Sequence, residues 1–209
     1  MSYRLAIFDF DGTLADSFPF FISVFNQIAD QHGFRRVEAH EAHALRHHDV
    51  RAIMRHVGMP VWKLPLASSS FINLMRDNAA RIPLFDGIAE VLHTLAREGV
   101  RLAIVSSNSE QNVRLVLGTR LSDLFGHFEC GMSVFGKASR IRKVVQREAV
   151  PAAHALYVGD QKMDAEAARK VGVAFGAVSW GYAPIEALRR VAPEREFGTP
   201  SELLRIVRP

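Results

Sequence analysis

The sequence has little cysteine, no long apolar run and no large excess of one charge. Each of these absences argues against a class of protein. Cys130 is the single cysteine among 209 residues, which excludes an intrachain disulfide and is typical of a reducing cytoplasm, where we expect the protein. No apolar stretch reaches the roughly 20 residues that cross a bilayer, and the N-terminus lacks the pattern of a signal peptide. We therefore expect no membrane partner.

The excess of positive charge is small. The formal net charge is +4 and the sequence pI is near 9.6, but the basic residues form no recognisable nucleic-acid-binding module. Hydrophobic residues make up 48% of the chain and charged residues 23%, as in ordinary globular proteins. The length suits one domain with a substantial insertion, or two small domains, in a monomer or a homodimer.

A short apolar segment near the N-terminus ends in two carboxylates and a glycine. Leu5 to Phe8 predict a buried strand, and Asp9, Asp11 and Gly12 follow at its carboxyl end, where ligands bind in open α/β sheets. Two neighbouring carboxylates repel each other unless a cation or a shared proton lies between them. By itself this pair would equally suit a plain strand end that caps the next element.

The rest of the chain divides into a helical part and a part in which strands alternate with helices. Residues 17–81 show apolar residues at helical spacing and no strand-like alternation, so we predict an all-helical insertion over residues 16–82. Beyond it, apolar strands near 100–105, 128–131, 155–158, 173–178 and 195–197 alternate with helices. This pattern predicts an α/β fold with a doubly wound parallel, Rossmann-like sheet formed by residues 1–15 and 83–209.

Further polar residues follow the other predicted strands. Ser106 ends one strand, Lys137 opens a helix, and Asp160 and Asp164 follow another strand. Because the carboxyl ends of parallel strands share one edge, these groups should meet Asp9 there. Lys137 stands at a helix start, where the helix dipole disfavours a cation, so an anionic partner is indicated.

The segment DFDGTL at residues 9–14, taken with Ser106, Lys137 and the Asp160/Asp164 pair, resembles the haloacid dehalogenase superfamily of aspartate-nucleophile phosphatases. The likeness is greatest to its phosphoglycolate phosphatase-like branch, whose members carry a helical cap. It covers nearly the whole chain outside residues 16–82. One position departs from the family pattern, because Ala138 stands where members often have proline after the lysine.

The resemblance supports the roles that charge and spacing indicate. Asp9 is ionised at neutral pH and is the predicted nucleophile, and Asp11 is the predicted general acid and base. Ser106 could instead simply cap the helix after its strand. Phosphate oxygens are expected to bind at Gly12, Ser106, Ser107, Asn108 and Lys137.

A divalent cation is the predicted cofactor. Mg²⁺ prefers oxygen ligands, and it would reduce the repulsion between Asp9 and a phosphate dianion. The expected metal residues are Asp9, Asp11 (through its backbone carbonyl), Asp160 and Asp164. Asp164 lies four residues after Asp160 and would steady the metal-bound waters or Lys137.

The insertion is rich in histidine, and this region could recognise the substrate. Six of the nine histidines lie between residues 32 and 56, and His43 and His47 have the i,i+4 spacing of a helical metal site, although a solvated or packed face is the default interpretation. We also predict that Arg46, His47 and Arg51 contact the non-phosphate part of an anionic substrate.

The resulting hypothesis is a Mg²⁺-dependent phosphatase acting on a small phosphorylated metabolite, such as 2-phosphoglycolate or a sugar phosphate, through an aspartyl-phosphate. A sugar-phosphate mutase of the same family is the enzymatic alternative. From a different class, a non-enzymatic phosphoacceptor switch would also place an aspartate, a hydroxyl group and a lysine at strand ends. Such a switch has no use for a helical insertion, nor for a second acid two residues after the first.

Overall fold

The core of the protein is one parallel β-sheet. The computed structural model describes residues 3–45, 50–131 and 136–207. The strands are β1 (Leu5–Phe8), β2 (Arg101–Ser106), β3 (Phe125–Cys130), β4 (Ala155–Gly159), β5 (Ala174–Val178) and β6 (Arg195–Phe197). They lie in the order β3-β2-β1-β4-β5-β6 and every neighbouring pair is parallel, so the prediction of a doubly wound sheet is confirmed.

Strand β1 occupies the middle of the sheet because both of its faces are apolar. Ala6 and Phe8 pack into the core on one face, whereas Leu5 and Ile7 pack into the core on the other. Successive side chains of a strand point to opposite faces, so four consecutive apolar residues supply both cores. All four are fully buried.

Helices cover both faces of the sheet. The face that holds Phe8 is covered by α5 (Ile88–Arg97), α6 (Glu110–Ser122) and a 3₁₀ helix at Pro200–Ile206. The opposite face is covered by α7 (Lys137–Glu148), α8 (Lys162–Arg169) and α9 (Ile185–Arg189). In the part of the chain that is described, no helix is both long and apolar enough to cross a membrane.

Where the structure describes it, the insertion after the first strand contains helices and no strand, as predicted. Its helices are α1 (Phe18–His32), α2 (Ala39–Leu45), α3 (Val50–His56) and α4 (Leu64–Asp77), with 3₁₀ helices at Val61–Lys63 and Ala79–Arg81. The chain enters and leaves the insertion through adjacent segments, because Ala15 forms a β-bridge with Leu84 and the Asp16 amide donates to the Pro83 carbonyl at 2.9 Å. The boundaries 16–82 stay a prediction.

The structure departs from the expected element bounds at several points. The strand expected near 128–131 begins at Phe125, and the last helix, Pro200–Ile206, is a 3₁₀ helix. Helix α6 runs to Ser122 but has a break at Gly118, whose φ of 69° and ψ of 169° are not helical. A glycine adopts this conformation without a steric penalty, so the chain bends there and resumes.

Candidate active site

The predicted site residues of the core meet at the carboxyl edge of the sheet. Asp9 and Asp11 follow β1, Asp160 follows β4, and Lys137 is the first residue of α7. Asp9, Asp11 and Lys137 line one cavity of about 240 Å³ between the sheet edge and the insertion. Parallel strands thus bring together residues that are more than a hundred positions apart, as the sequence predicts.

Lys137 connects two of the carboxylates. Its Nζ lies 2.8 Å from Asp9 Oδ2 and 2.5 Å from Asp164 Oδ1, and all three side chains are buried. Burial by itself lowers the pKa of Lys137, but the charges of Asp164 and Asp9 outweigh this effect and raise that pKa well above 10.5. The ammonium therefore stays charged, and the anionic partner that its position at a helix start indicated is present.

Asp9 is held in a fixed orientation and is buried. The backbone amide of Phe10 donates to Asp9 Oδ1 at 2.8 Å, and Lys137 donates to the other carboxylate oxygen. Burial raises the pKa of Asp9 to about 7, although the charge of Lys137 opposes this rise. Both carboxylate oxygens of Asp9 thus have a hydrogen-bond partner, which fixes the orientation of the side chain.

Asp164 caps helix α8 in addition to binding Lys137. Its Oδ2 accepts hydrogen bonds from the amides of Asp160 at 3.2 Å and Gln161 at 2.9 Å. Since α8 begins only at Lys162, the two aspartates are not an i,i+4 pair on one helix. Their proximity comes from the capping contact instead, which the sequence analysis did not anticipate.

Three carboxylates form a buried acidic cluster. Oxygens of Asp9, Asp160 and Asp164 lie within 4.8 Å of one another, and this is the cluster that the described residues offer to a metal ion. Burial, and then the charges of Asp164 and Asp9, raise the pKa of Asp160 well above its ordinary value. Clustered buried carboxylates with one lysine between them are a favourable environment for a further cation.

Asp11 lies beside this cluster, with one carboxylate oxygen hydrogen-bonded and the other buried. Asn108 Nδ2 donates to Asp11 Oδ2 at 2.9 Å, whereas Oδ1 is buried and has no hydrogen-bond partner among the described residues. Burial raises the pKa of Asp11, and the polar side chains of Ser17 and Asn108 oppose the rise. A raised pKa favours the protonated form, which a proton donor requires.

The serines after β2 take different positions. Ser106 is fully buried and its Oγ accepts from the Asn108 amide at 3.1 Å, while Ser107 lines the cavity. Ser106 does not cap α6, because Ser109 is the N-cap and accepts from the Asn112 amide at 3.1 Å. The alternative interpretation of Ser106 as a helix cap is therefore wrong.

Sequence reasoning missed the contribution of the loop after β5. Residues 179–182 follow β5 and contact both the acidic cluster and the loop after β1. The Tyr182 amide donates a hydrogen bond to Asp160 Oδ2 at 2.7 Å. The Tyr182 hydroxyl lies 2.6 Å from Ser17 Oγ. The Ser17 side chain makes this contact and does not cap α1. Trp180 Nε1 donates to the Thr13 carbonyl at 3.0 Å.

Gly181 is the residue of the sequence that could have indicated the contribution of this loop to the site. A Cβ at this position would lie 2.1 Å from Asp160 Cβ and 2.7 Å from the Gly12 carbonyl oxygen. At Gly12, where φ is +76°, a Cβ would lie 2.4 Å from Asp160 Oδ2. Glycines at strand ends thus allow the backbone to approach the carboxylate closely.

The predicted substrate residues of the insertion are only partly described. Arg46 and His47 lie outside the described residues, so one member of the proposed His43/His47 metal pair lies outside them as well. Arg51 is exposed on α3 and does not line the described part of the cavity. Cys130 is half-buried and burial raises its pKa to about 12, which disfavours the reactive thiolate form.

Comparisons with known proteins agree with this geometry. A sequence profile of the haloacid dehalogenase-like hydrolases matches residues 6–178. A phosphoglycolate phosphatase from Synechococcus elongatus is 34% identical over 202 residues, which cover 96% of this chain and 95% of that protein.

Solved structures share the fold. A crystal structure from Lactobacillus plantarum aligns with a TM-score of 0.84 at 20% identity, over 99% of this chain and 100% of that one. CbbY from Rhodobacter sphaeroides, solved in complex with phosphate, aligns with a TM-score of 0.72 at 22% identity, over 98% of this chain and 99% of that one. On the family match and the 34% identical relative, the chain belongs to the haloacid dehalogenase-like hydrolase family.

Proposed function

We propose that this hydrolase is a magnesium-dependent phosphatase that releases inorganic phosphate from a small phosphorylated metabolite through an aspartyl-phosphate on Asp9. The general activity, that of a phosphoric monoester hydrolase, follows from the family match and from the phosphoglycolate phosphatase that is 34% identical. One observation carries the mechanism: Asp9 and Asp11 face a single cavity whose floor also holds Lys137.

Asp9 acts as the nucleophile in the first half of the reaction. A carboxylate oxygen attacks phosphorus while the bond between phosphorus and the oxygen of the leaving alcohol breaks. Lys137, bound to Asp9 at 2.8 Å, holds this carboxylate in place and offsets part of its negative charge. Asp164 in turn fixes Lys137, so its role is to position the lysine.

Asp11 transfers the protons. Its protonated form gives a proton to the leaving alkoxide, and in the second half its ionised form takes a proton from the water that attacks the phosphorus of the aspartyl-phosphate. Inorganic phosphate leaves and Asp9 is regenerated. The hydrogen bond from Asn108 to Asp11 Oδ2 fixes the orientation of this carboxyl group for the transfer.

The acidic cluster fits a divalent cation. Of the three buried carboxylates, two are bound to Lys137, so a further positive charge would stabilise the cluster. Asp9, Asp160 and the backbone carbonyl of Asp11 would hold Mg²⁺, and Asp164 would act mainly through Lys137. When bound, the ion supplies charge that reduces the repulsion between Asp9 and a phosphate dianion.

A phosphate-release assay tests the proposal. Purified protein with Mg²⁺ is incubated with phosphomonoesters that include 2-phosphoglycolate and sugar phosphates, beside Asp9→Asn and the control Asp86→Asn, an exposed aspartate outside the site. We expect many turnovers per chain in the wild type and the control, and none in Asp9→Asn.

Each competing function predicts a different outcome of this assay. Release that stops after one phosphate per chain would indicate a phosphoacceptor switch. Formation of an isomeric sugar phosphate without free phosphate would indicate a mutase. Equal release by Asp9→Asn would refute the assignment of the nucleophile.

A further inference from the structure

The insertion lines the cavity above Asp9 with apolar side chains. All four of its helices contribute, for example through Phe21, Leu45, Ile53 and Phe71. We call the apolar insertion side chains that line the cavity the apolar wall. Among the insertion residues described as lining the cavity, Ser68 is the only polar one. The charged lining residues within the described ranges belong to the floor, which the sheet edge forms.

Among the insertion residues that the structure describes, none that lines the cavity would be a counter-ion for a carboxylate on the leaving group. Lys137 is the only basic residue among the described lining residues, and it is already bound to Asp9 and Asp164. Burying an unpaired carboxylate against apolar surface is strongly unfavourable, and each sugar hydroxyl would also need a hydrogen-bond partner there. An alkyl or aryl group, in contrast, gains free energy from the same surface.

The cavity is large enough for such a group. Its volume of about 240 Å³ exceeds the ~150 Å³ of an engineered apolar cavity that holds benzene. The phosphoryl group occupies the floor, beside Asp9, and the remaining space extends toward Phe25 and Phe34 of the insertion.

We propose that the leaving group of the natural substrate is an apolar alcohol, alkyl or aryl, which the apolar wall buries while the phosphoryl group binds at Asp9. This inference rests on the proposed phosphatase function and deepens it. It competes with the prediction that Arg46, His47 and Arg51 bind an anionic leaving group, and the two hypotheses predict opposite substrate preferences.

The test is a series of substrates whose alcohols differ in length but little in reactivity. We compare kcat/KM for methyl, n-butyl and n-hexyl phosphate and for 2-phosphoglycolate, all with Mg²⁺. Since a buried CH₂ is worth ~0.8 kcal/mol, kcat/KM should rise by up to about 4-fold per added carbon. We expect hexyl phosphate to exceed both methyl phosphate and 2-phosphoglycolate by at least about tenfold.

A pair of variants on one helix tests the role of the apolar wall directly. Ser68→Lys adds a cation to the cavity, and Ser69→Lys adds the same charge to the neighbouring position on α4, which does not line the described cavity. Because hydrogen bonds to charged groups are strong, the preference for 2-phosphoglycolate over hexyl phosphate should rise about tenfold in Ser68→Lys and stay unchanged in Ser69→Lys. The ratio cancels any effect of the new charge on the phosphoryl group, which both substrates carry.

The outcomes separate this inference from the proposed function. If the chain hydrolyses phosphomonoesters but 2-phosphoglycolate is preferred over hexyl phosphate, or kcat/KM does not increase with chain length, the apolar leaving group is refuted while the phosphatase stands. If the Ser68→Lys ratio equals that of Ser69→Lys, the assignment of the apolar wall is refuted. If no ester is hydrolysed, or Asp9→Asn hydrolyses all of them equally, the proposed function itself fails.

Discussion

Replacing Lys137 by methionine should destabilise the protein strongly, because the lysine is the charged partner of two buried carboxylates. Asp9 and Asp164 lie 2.8 and 2.5 Å from its Nζ, and Asp164 is fully buried. Removing one partner of a buried ion pair typically costs about 3–5 kcal/mol, since the remaining charge stays unpaired. We expect Lys137→Met to lower the free energy of unfolding by about this amount, and to abolish turnover.

The loss in free energy of unfolding can be measured by urea denaturation, followed by circular dichroism, in metal-free buffer. Lys143→Met is the matched control on the same helix, because the Lys143 side chain is half-exposed and Glu129 keeps a second partner, Arg147, at 2.7 Å. Removing one partner of an exposed ion pair typically lowers the free energy of unfolding by less than about 1 kcal/mol, which is what we expect of this control.

A second substitution separates charge from packing. Adding Asp164→Asn to Lys137→Met removes one of the carboxylates left unpaired, so the double variant should regain part of the lost stability. The reasoning is refuted if Lys137→Met unfolds within 1 kcal/mol of the wild type, a difference typical of an exposed pair. A double variant that is less stable than the single one would refute it as well.

Three further predictions concern single side chains. Asp11→Asn should lower kcat by ~10²–10⁴-fold, the usual contribution of general acid–base catalysis, in steady-state phosphate release. Tyr182→Phe removes the hydroxyl 2.6 Å from Ser17 Oγ and should cost about 0.5–1.5 kcal/mol in a thermal melt. The hydrogen bond from Arg35 lowers the pKa of Glu41 to about 2. The stabilisation of the folded state by ionised Glu41 is therefore present above pH 4.5 and is lost as the pH falls toward 2. The stability difference between wild type and Glu41→Gln, measured by denaturation at several pH values, should narrow over that range.

The fold and the core of the site could be predicted from the sequence because their signals are local. Leu5 to Phe8 are apolar on both faces, which indicates a central parallel strand, and Asp9 follows where such a strand must end. Lys137 was predicted to have an anionic partner from its position at a helix start alone. Topology then brings these residues to one edge without any further information.

The remaining features depend on contacts between distant segments. The loop after β5 folds across the segment after β1. This packing produces the contact between Tyr182 and Ser17 and the hydrogen bond from the Tyr182 amide to Asp160. The capping role of Asp164 depends on the hydrogen bonds that its carboxylate accepts from the amides of Asp160 and Gln161, just before α8 begins. The apolar wall arises from the packing of four helices, which helical periodicity alone does not determine.

The central claim is that Asp9 becomes phosphorylated during turnover, and one measurement tests it most directly. Protein mixed with a rapidly hydrolysed phosphomonoester and Mg²⁺ is quenched in acid within the first turnover, digested, and analysed by mass spectrometry. Our account predicts the added mass of one phosphoryl group on the peptide that contains Asp9, assigned to Asp9 by fragmentation and absent in Asp9→Asn. Full turnover with no phosphorylated peptide at any quench time, or with the phosphoryl group on another residue, would contradict it.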